Sequence, residues 1–116
     1  MELRKILLIG LLFTSASCAY DNVEDLYGVK DCPPGGTSFS QTISPLISTN
    51  CAITGCHVNG QQAPTLENYA QISANAGRIK AKTSNGTMPP PTSGQSLTQQ
   101  EIDDIACWVD AGAPDN

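Results

Sequence analysis

The chain has 116 residues, of which 40% are hydrophobic, 15% charged and 5% aromatic, and its formal charge is −5. That length allows one small domain and excludes a multi-domain enzyme, while the apolar fraction excludes a disordered acidic chain. The acidic balance also excludes a polyanion such as nucleic acid as a partner.

Arg4 and Lys5 precede an apolar run from Ile6 to Phe13, followed by the small residues Thr14, Ser15, Ala16 and Ser17 and then Cys18. A basic start, a short apolar stretch and a small-residue exit predict a secretory signal over residues 1–17. The run is well short of the roughly 18 apolar residues that a bilayer-spanning helix needs. A cysteine placed directly after the small residues resembles the lipobox of bacterial lipoproteins, in which cleavage leaves a lipid-modified cysteine as the new first residue. Ser15 stands where that family prefers Leu. Read without the resemblance, the segment is an ordinary secretory signal with a cysteine nearby. With Cys18 as the mature start, 10 acidic and 4 basic side chains remain, a formal −6. The resemblance implies a lipid-anchored protein on the periplasmic or outer-surface side of a bacterial membrane, with the outer membrane favoured by the acidic residues after Ala19. Disulfides persist in such a compartment.

Residues 18–36 are polar and acidic and end in Cys32-Pro33-Pro34-Gly35-Gly36, which reads as a tether. The folded part is then 37–116. Its apolar residues recur at helical spacing, with almost no strand signal, so an all-α domain of three to five short helices is expected. The first helix is expected from about Ser40 to Asn50, with Phe39, Ile43, Leu46 and Ile47 on one face and Pro45 in the first turn or at a kink. After a loop from Cys51 to Pro64, a second helix is expected from Leu66 to about Ser73 with Thr65 as its cap. A third is expected from Asn75 to Lys82. Met88-Pro89-Pro90-Pro91 must be extended, since a residue before proline avoids the α region. The last helix has the clearest signals: Thr98 and Glu101 form a capping box, and Ile102, Ile105, Ala106 and Val109 follow at i, i+3, i+4 and i+7. Trp108 flanks that stripe, and Gly112 is the expected stop.

The domain is thin inside, with only Phe39, Tyr69 and Trp108 as aromatic residues. A single core of this size rarely supplies more than about 3–5 kcal/mol and usually needs a staple. A large apolar cofactor would make up the shortage.

The loop reads Cys51-Ala52-Ile53-Thr54-Gly55-Cys56-His57, a C-x4-C-H sequence. The usual signature of covalent c-type haem attachment is C-x-x-C-H, in which two thiols add to two vinyl groups and the adjacent His reaches the iron. Two extra residues can bulge outward while the Cys-His end keeps its register. The competing reading is a local disulfide between Cys51 and Cys56 beside an incidental His. Of the five cysteines, Cys32 and Cys107 then remain, an even pair in an oxidising compartment. Cys107 points away from the apolar stripe of the last helix and can meet a tether lying across its outer face. A Cys32–Cys107 disulfide is therefore expected, against the alternative of two free thiols.

His57 is the sole histidine, and after signal removal Met88 is the sole methionine. A six-coordinate haem needs one ligand on each face, and His57 with Met88 supplies a His/Met pair of the kind that raises the reduction potential. A lone Met is otherwise a core filler. Arg78 is the first choice of partner for the haem propionates, against the alternative of a solvated helix face. Pro64 or a near neighbour is the expected carbonyl for the second ring nitrogen of His57. There is no second histidine to act as a base, and four zinc ligands at workable spacing are lacking.

From Phe39 to Asn116 the chain resembles small monohaem c-type cytochrome domains, particularly those of bacterial lipoproteins. The matching pieces are Thr42 through Ile47, Cys51 through His57, Met88-Pro89-Pro90, Leu97 through Glu101, and Trp108 through Pro114. The departure is the longer spacing between the two cysteines. The resemblance implies a cytochrome c-like bundle around one covalently attached haem c, with the first and last helices packed together. It further implies one-electron transfer between redox partner proteins rather than enzyme catalysis. The alternatives are a haem-free, disulfide-stapled lipoprotein acting as a binding or structural module, and a haem-based sensor in which Met88 leaves the iron to admit a small ligand.

Overall fold

The computed structural model describes residues 31–116. The expected signal peptide 1–17 and the expected lipidation site Cys18 lie outside the described residues. These form one compact unit, Asp31–Asn116, so the last residues assigned to the tether, 31–36, lie with the folded unit. The described residues are helical and contain no strand. None of their helices is long and apolar enough to cross a membrane.

The first helix opens with a π-helical turn, Phe39–Ile43, and continues as α1, Ser44–Asn50. Pro45 sits in the first turn of α1, where its missing N–H is one of the donors a helix start leaves unpaired. Both Thr42 and Ile43 donate their backbone N–H to the Ser38 carbonyl, at 3.1 Å each, which is how the turn widens ahead of the proline. Phe39, Ile43, Leu46 and Ile47 are all buried, as the spacing predicts. The start is capped from the far end of the sequence. The Phe39 N–H donates to the Asn116 side-chain carbonyl at 2.7 Å, and the Ser40 N–H donates to the Asn116 backbone oxygen at 2.8 Å.

Helix α2 is Tyr69–Ala74, shorter than the expected Leu66–Ser73. Its cap is Asn68 rather than Thr65: the Asn68 carboxamide oxygen accepts from the Gln71 N–H at 3.0 Å. Leu66 is instead buried in the loop, where its N–H donates to the His57 carbonyl at 2.9 Å. Helix α3, Ala76–Ser84, follows after Asn75 and buries Ala76, Ile79 and Thr83.

Helix α4, Gln99–Asp110, carries the expected capping box, with Glu101 N–H to Thr98 Oγ1 at 3.2 Å and Thr98 N–H to the Glu101 carboxylate at 2.7 Å. Such a cap contributes about 1 kcal/mol. Its end is a paired turn, with Ala113 N–H to the Trp108 carbonyl at 2.9 Å and Gly112 N–H to the Val109 carbonyl at 3.0 Å. The buried face differs from the expected stripe. Ile105 and Trp108 are fully buried, whereas Ile102 and Val109 are only partly so. Trp108 is thus central and not flanking. Its indole N–H donates to the Pro114 carbonyl at 2.9 Å, which lets the large ring be buried without an orphaned donor.

The three aromatic residues of the domain form one cluster. Phe39 meets Tyr69 edge-on at 4.9 Å between centroids and Trp108 at 5.7 Å. The opening turn of the first helix therefore packs on α4, as the resemblance implied. Cys32 and Cys107 are joined in a disulfide with their Cα atoms 5.3 Å apart. As expected, the segment that carries Cys32 lies across the face of α4 that holds Cys107, and it leaves that residue 2% exposed. Gly36 is required there: a Cβ on it would lie 2.4 Å from the Ala111 Cβ and 3.0 Å from the Cys107 carbonyl oxygen. On the chain-entropy account, closing a separation of 75 residues contributes about 4 kcal/mol.

Candidate haem site

The loop after α1 is held by backbone bonds rather than by regular structure. Cys51 N–H donates to the Ile47 carbonyl at 2.8 Å, so the first cysteine caps the helix end. His57 N–H donates to the Cys51 carbonyl at 3.0 Å, and Cys56 N–H to the Ile53 carbonyl at 2.9 Å. The C-x4-C-H segment is thus a closed turn whose two ends are tied together. Its exposed tip, Thr54 and Gly55, accommodates the two residues beyond the usual spacing. Gly55 has φ +87°, a left-handed conformation that favours glycine. Neither Cys51 nor Cys56 is in a disulfide. Burial pushes the Cys51 thiol up to about 11, with the nearby Cys56 adding to the effect.

The His57 ring is oriented by a hydrogen bond of 2.7 Å between its Nδ1 and the Pro64 carbonyl oxygen, the partner expected from the sequence. A carbonyl only accepts, so Nδ1 carries the proton, and in the neutral ring Nε2 keeps its lone pair for a metal. The Ala63–Pro64 peptide that supplies this carbonyl is cis.

Cys51, Cys56, His57, Met88 and Arg78 all line one cavity of about 620 Å³, within the usual range for ligand sites. Its apolar walls include Ile53, Pro64, Leu66, Ile79, Pro89 and Pro90. Met88 reaches it from a chain turn after α3, where its N–H donates to the Lys82 carbonyl at 3.1 Å. At 38% exposure Met88 sits at the mouth and is the large hydrophobic side chain left open to solvent there. No part of α4 lines the cavity.

The charged residues on the cavity wall are Arg78 and Lys82, one turn apart on α3. The third cation of α3, Lys80, faces the other way and pairs with Asp110 of α4. Of the three cations within five positions, Arg78, Lys80 and Lys82, the sequence gives Arg78 as the first choice, and the i+4 spacing puts Lys82 on the same wall. Leu66 and Ile79 belong to the buried core and also form the cavity wall.

Among the described residues, no group of three or more His, Cys, Asp and Glu side chains is arranged to hold a metal ion. A haem iron held by one His and one Met is not such a group. The residues present fit a covalent haem: two free thiols, an imidazole with its proton fixed on the outer nitrogen, a thioether, and an apolar chamber with two cations on its wall.

No family model matches the chain, and no solved structure matches it. Its sequence is 29% identical over 93 residues to cytochrome c6 of Gloeothece citriformis (strain PCC 7424), a match covering 72% of this chain and 81% of that protein. The chain is therefore similar, at a distance, to a c-type cytochrome, and the strand-free helical fold of its described residues agrees with that relationship.

Proposed function

We propose that this chain is an exported, lipid-anchored electron carrier that holds one haem c through Cys51 and Cys56 and ligates its iron with His57 and Met88. The observation that carries the reading is the meeting of these four side chains at one largely apolar cavity. The likeness to cytochrome c6 supports it independently.

Bound there, a haem supplies a centre that takes up and releases one electron. Every other part of the task falls to the chain. Cys51 and Cys56 fix the group by thioether bonds. Pro64 holds the His57 ring in one tautomer and one orientation. Leu66, Ile79 and the prolines at 89 and 90 give the chamber apolar walls that would keep water from a bound haem, and this shelter and the Met88 thioether would both favour a higher potential. Arg78 and Lys82 offer charge-assisted hydrogen bonds to carboxylates at the cavity wall. His57 and Met88 would both be spent on holding the iron, which favours electron transfer between redox proteins over oxygen or peroxide chemistry. Cys18 would carry the lipid and place the domain on the periplasmic or outer-surface side of a bacterial membrane, with the outer membrane favoured.

The test is a pyridine haemochrome spectrum of the mature protein, produced in cells with an intact haem-attachment system. A c-type band that survives acid–acetone extraction is expected. Colourless protein from a host that loads a control cytochrome would overturn the reading.

A further inference from the structure

The motif loop has one support that the cysteines and histidine do not explain. At its tip the Gly55 N–H donates to the side-chain carbonyl oxygen of Gln61. Gln61 is itself fixed, since its own N–H donates to the Val58 carbonyl at 3.0 Å. The other ties across the loop, Cys56 to Ile53 and His57 to Cys51, run between backbone groups within the motif. The bond from Gln61 is different in kind, because a side chain from outside the motif grips the stretch between the two thiols. That stretch is where the C-x4-C-H spacing exceeds C-x-x-C-H. Gly55 turns the chain there at φ +87° with nothing within 4 Å of where a side chain would start. The Gln61 side chain thus adds a tie at a point with open space where a Gly55 side chain would start.

We infer that Gln61 is a positioning residue that sets the shape of the longer loop, and with it the separation of the Cys51 and Cys56 sulfurs available to one haem. This rests on the proposed haem attachment. A loop with two surplus residues has more conformations than the short form, and most of them place the second thiol badly. Pinning Gly55 removes a large share of those conformations without touching Cys51, Cys56 or His57. Gln61 is exposed and is not part of the core cluster, so replacing it should leave the fold intact.

The test uses the full chain with Gln61→Ala and Gln61→Glu. A carboxylate in place of the carboxamide still accepts from Gly55, so Gln61→Glu should behave as the wild type. In Gln61→Ala the Gly55 amide should exchange its hydrogen about fivefold faster, the size expected for losing one such bond. In haem-loaded protein unfolded in denaturant at mildly alkaline pH and alkylated, Gln61→Ala should show one free thiol at Cys51 or Cys56 in a fraction of molecules at least several-fold above the wild type. Unchanged exchange and an unchanged thiol count in Gln61→Ala, with the wild type fully loaded, would overturn the role of Gln61. So would a Gln61→Glu variant as defective as Gln61→Ala. A wild type that takes no covalent haem marks the separate failure of the site reading, and removes this role with it.

Discussion

The α4 side of the domain and the cavity side satisfy their backbone groups by different means. Along α4, Gln99–Asp110, a regular helix is closed by a capping box at one end and a paired turn at the other, then covered by residues 31–36 and stapled to them by Cys32–Cys107. Across the cavity, residues 51–66 form no helix, and single bonds such as His57 to Cys51, His57 to Pro64 and Gly55 to Gln61 hold the chain. The fully buried side chains Trp108, Ile43, Ile47 and Ile105 lie with the first helix and α4, whereas Cys51, Cys56, His57 and Met88 all keep some exposure. The division suits the proposed haem attachment, in which this loop would present its thiols and imidazole to the group while Cys51 also leans on the core.

Breaking the staple is expected to have the largest effect. Replacing Cys32 and Cys107 together by Ala should lower the unfolding free energy by about 4 kcal/mol, read by chemical denaturation of the mature protein. A loss below about 1 kcal/mol would show that the α4 side stands without it. On the cavity side the same double variant should leave the haem spectrum unchanged once the protein is folded.

Met88 sharpens the contrast from the other direction. Met88→Ala should leave stability nearly intact, since the side chain is exposed at the mouth, but lower the midpoint potential by on the order of 100 mV. It should also let the reduced protein bind carbon monoxide. A wild type that binds carbon monoxide as readily as the variant would remove Met88 from the axial role and favour a small-ligand sensor.

The smallest effect concerns the Cys51 thiol in haem-free protein. Its folded value, about 11, lies above the ordinary 9.0 because burial disfavours the thiolate. A group raised in this way contributes its linked stability fully below pH 9 and loses it as the pH climbs toward 11. Alkylation of Cys51 requires the thiolate, so its rate should still be rising between pH 9 and 11. A rate that levels off by pH 9, followed by peptide mapping, would show the loop to be open.

Much of the α4 side was legible in the chain itself. Thr98 and Glu101 announce the helix start, the apolar spacing gives its body, and Gly112 ends it, because each signal is local in sequence. The pairing of Cys32 with Cys107 was reached from the cysteine count and from the helical position of Cys107, and the expected tether does lie across it, leaving it buried. Helix α2 was misplaced because Thr65 and Asn68 are both good caps by type, and only the burial of Leu66 in the loop beneath His57 decides between them. On the cavity side, residue types were legible and geometry was not. Lys80 and Lys82 look alike in sequence, but one pairs with Asp110 and the other lines the cavity.

The sequence by itself determined that the domain is helical, and it offered the Cys32–Cys107 pair and the candidate haem residues as expectations, because periodicity, caps, motif spacing and the cysteine count are written along the chain. Only the tertiary structure decided that Trp108 and not the Ile102 stripe is the centre of the core, that Asn116 caps the first helix from the far end, and that Gln61 holds the tip of the motif loop. Each of those depends on which segments meet in space. That is set by the packing of the whole unit and by the need of each buried donor for an acceptor, wherever in the chain it lies.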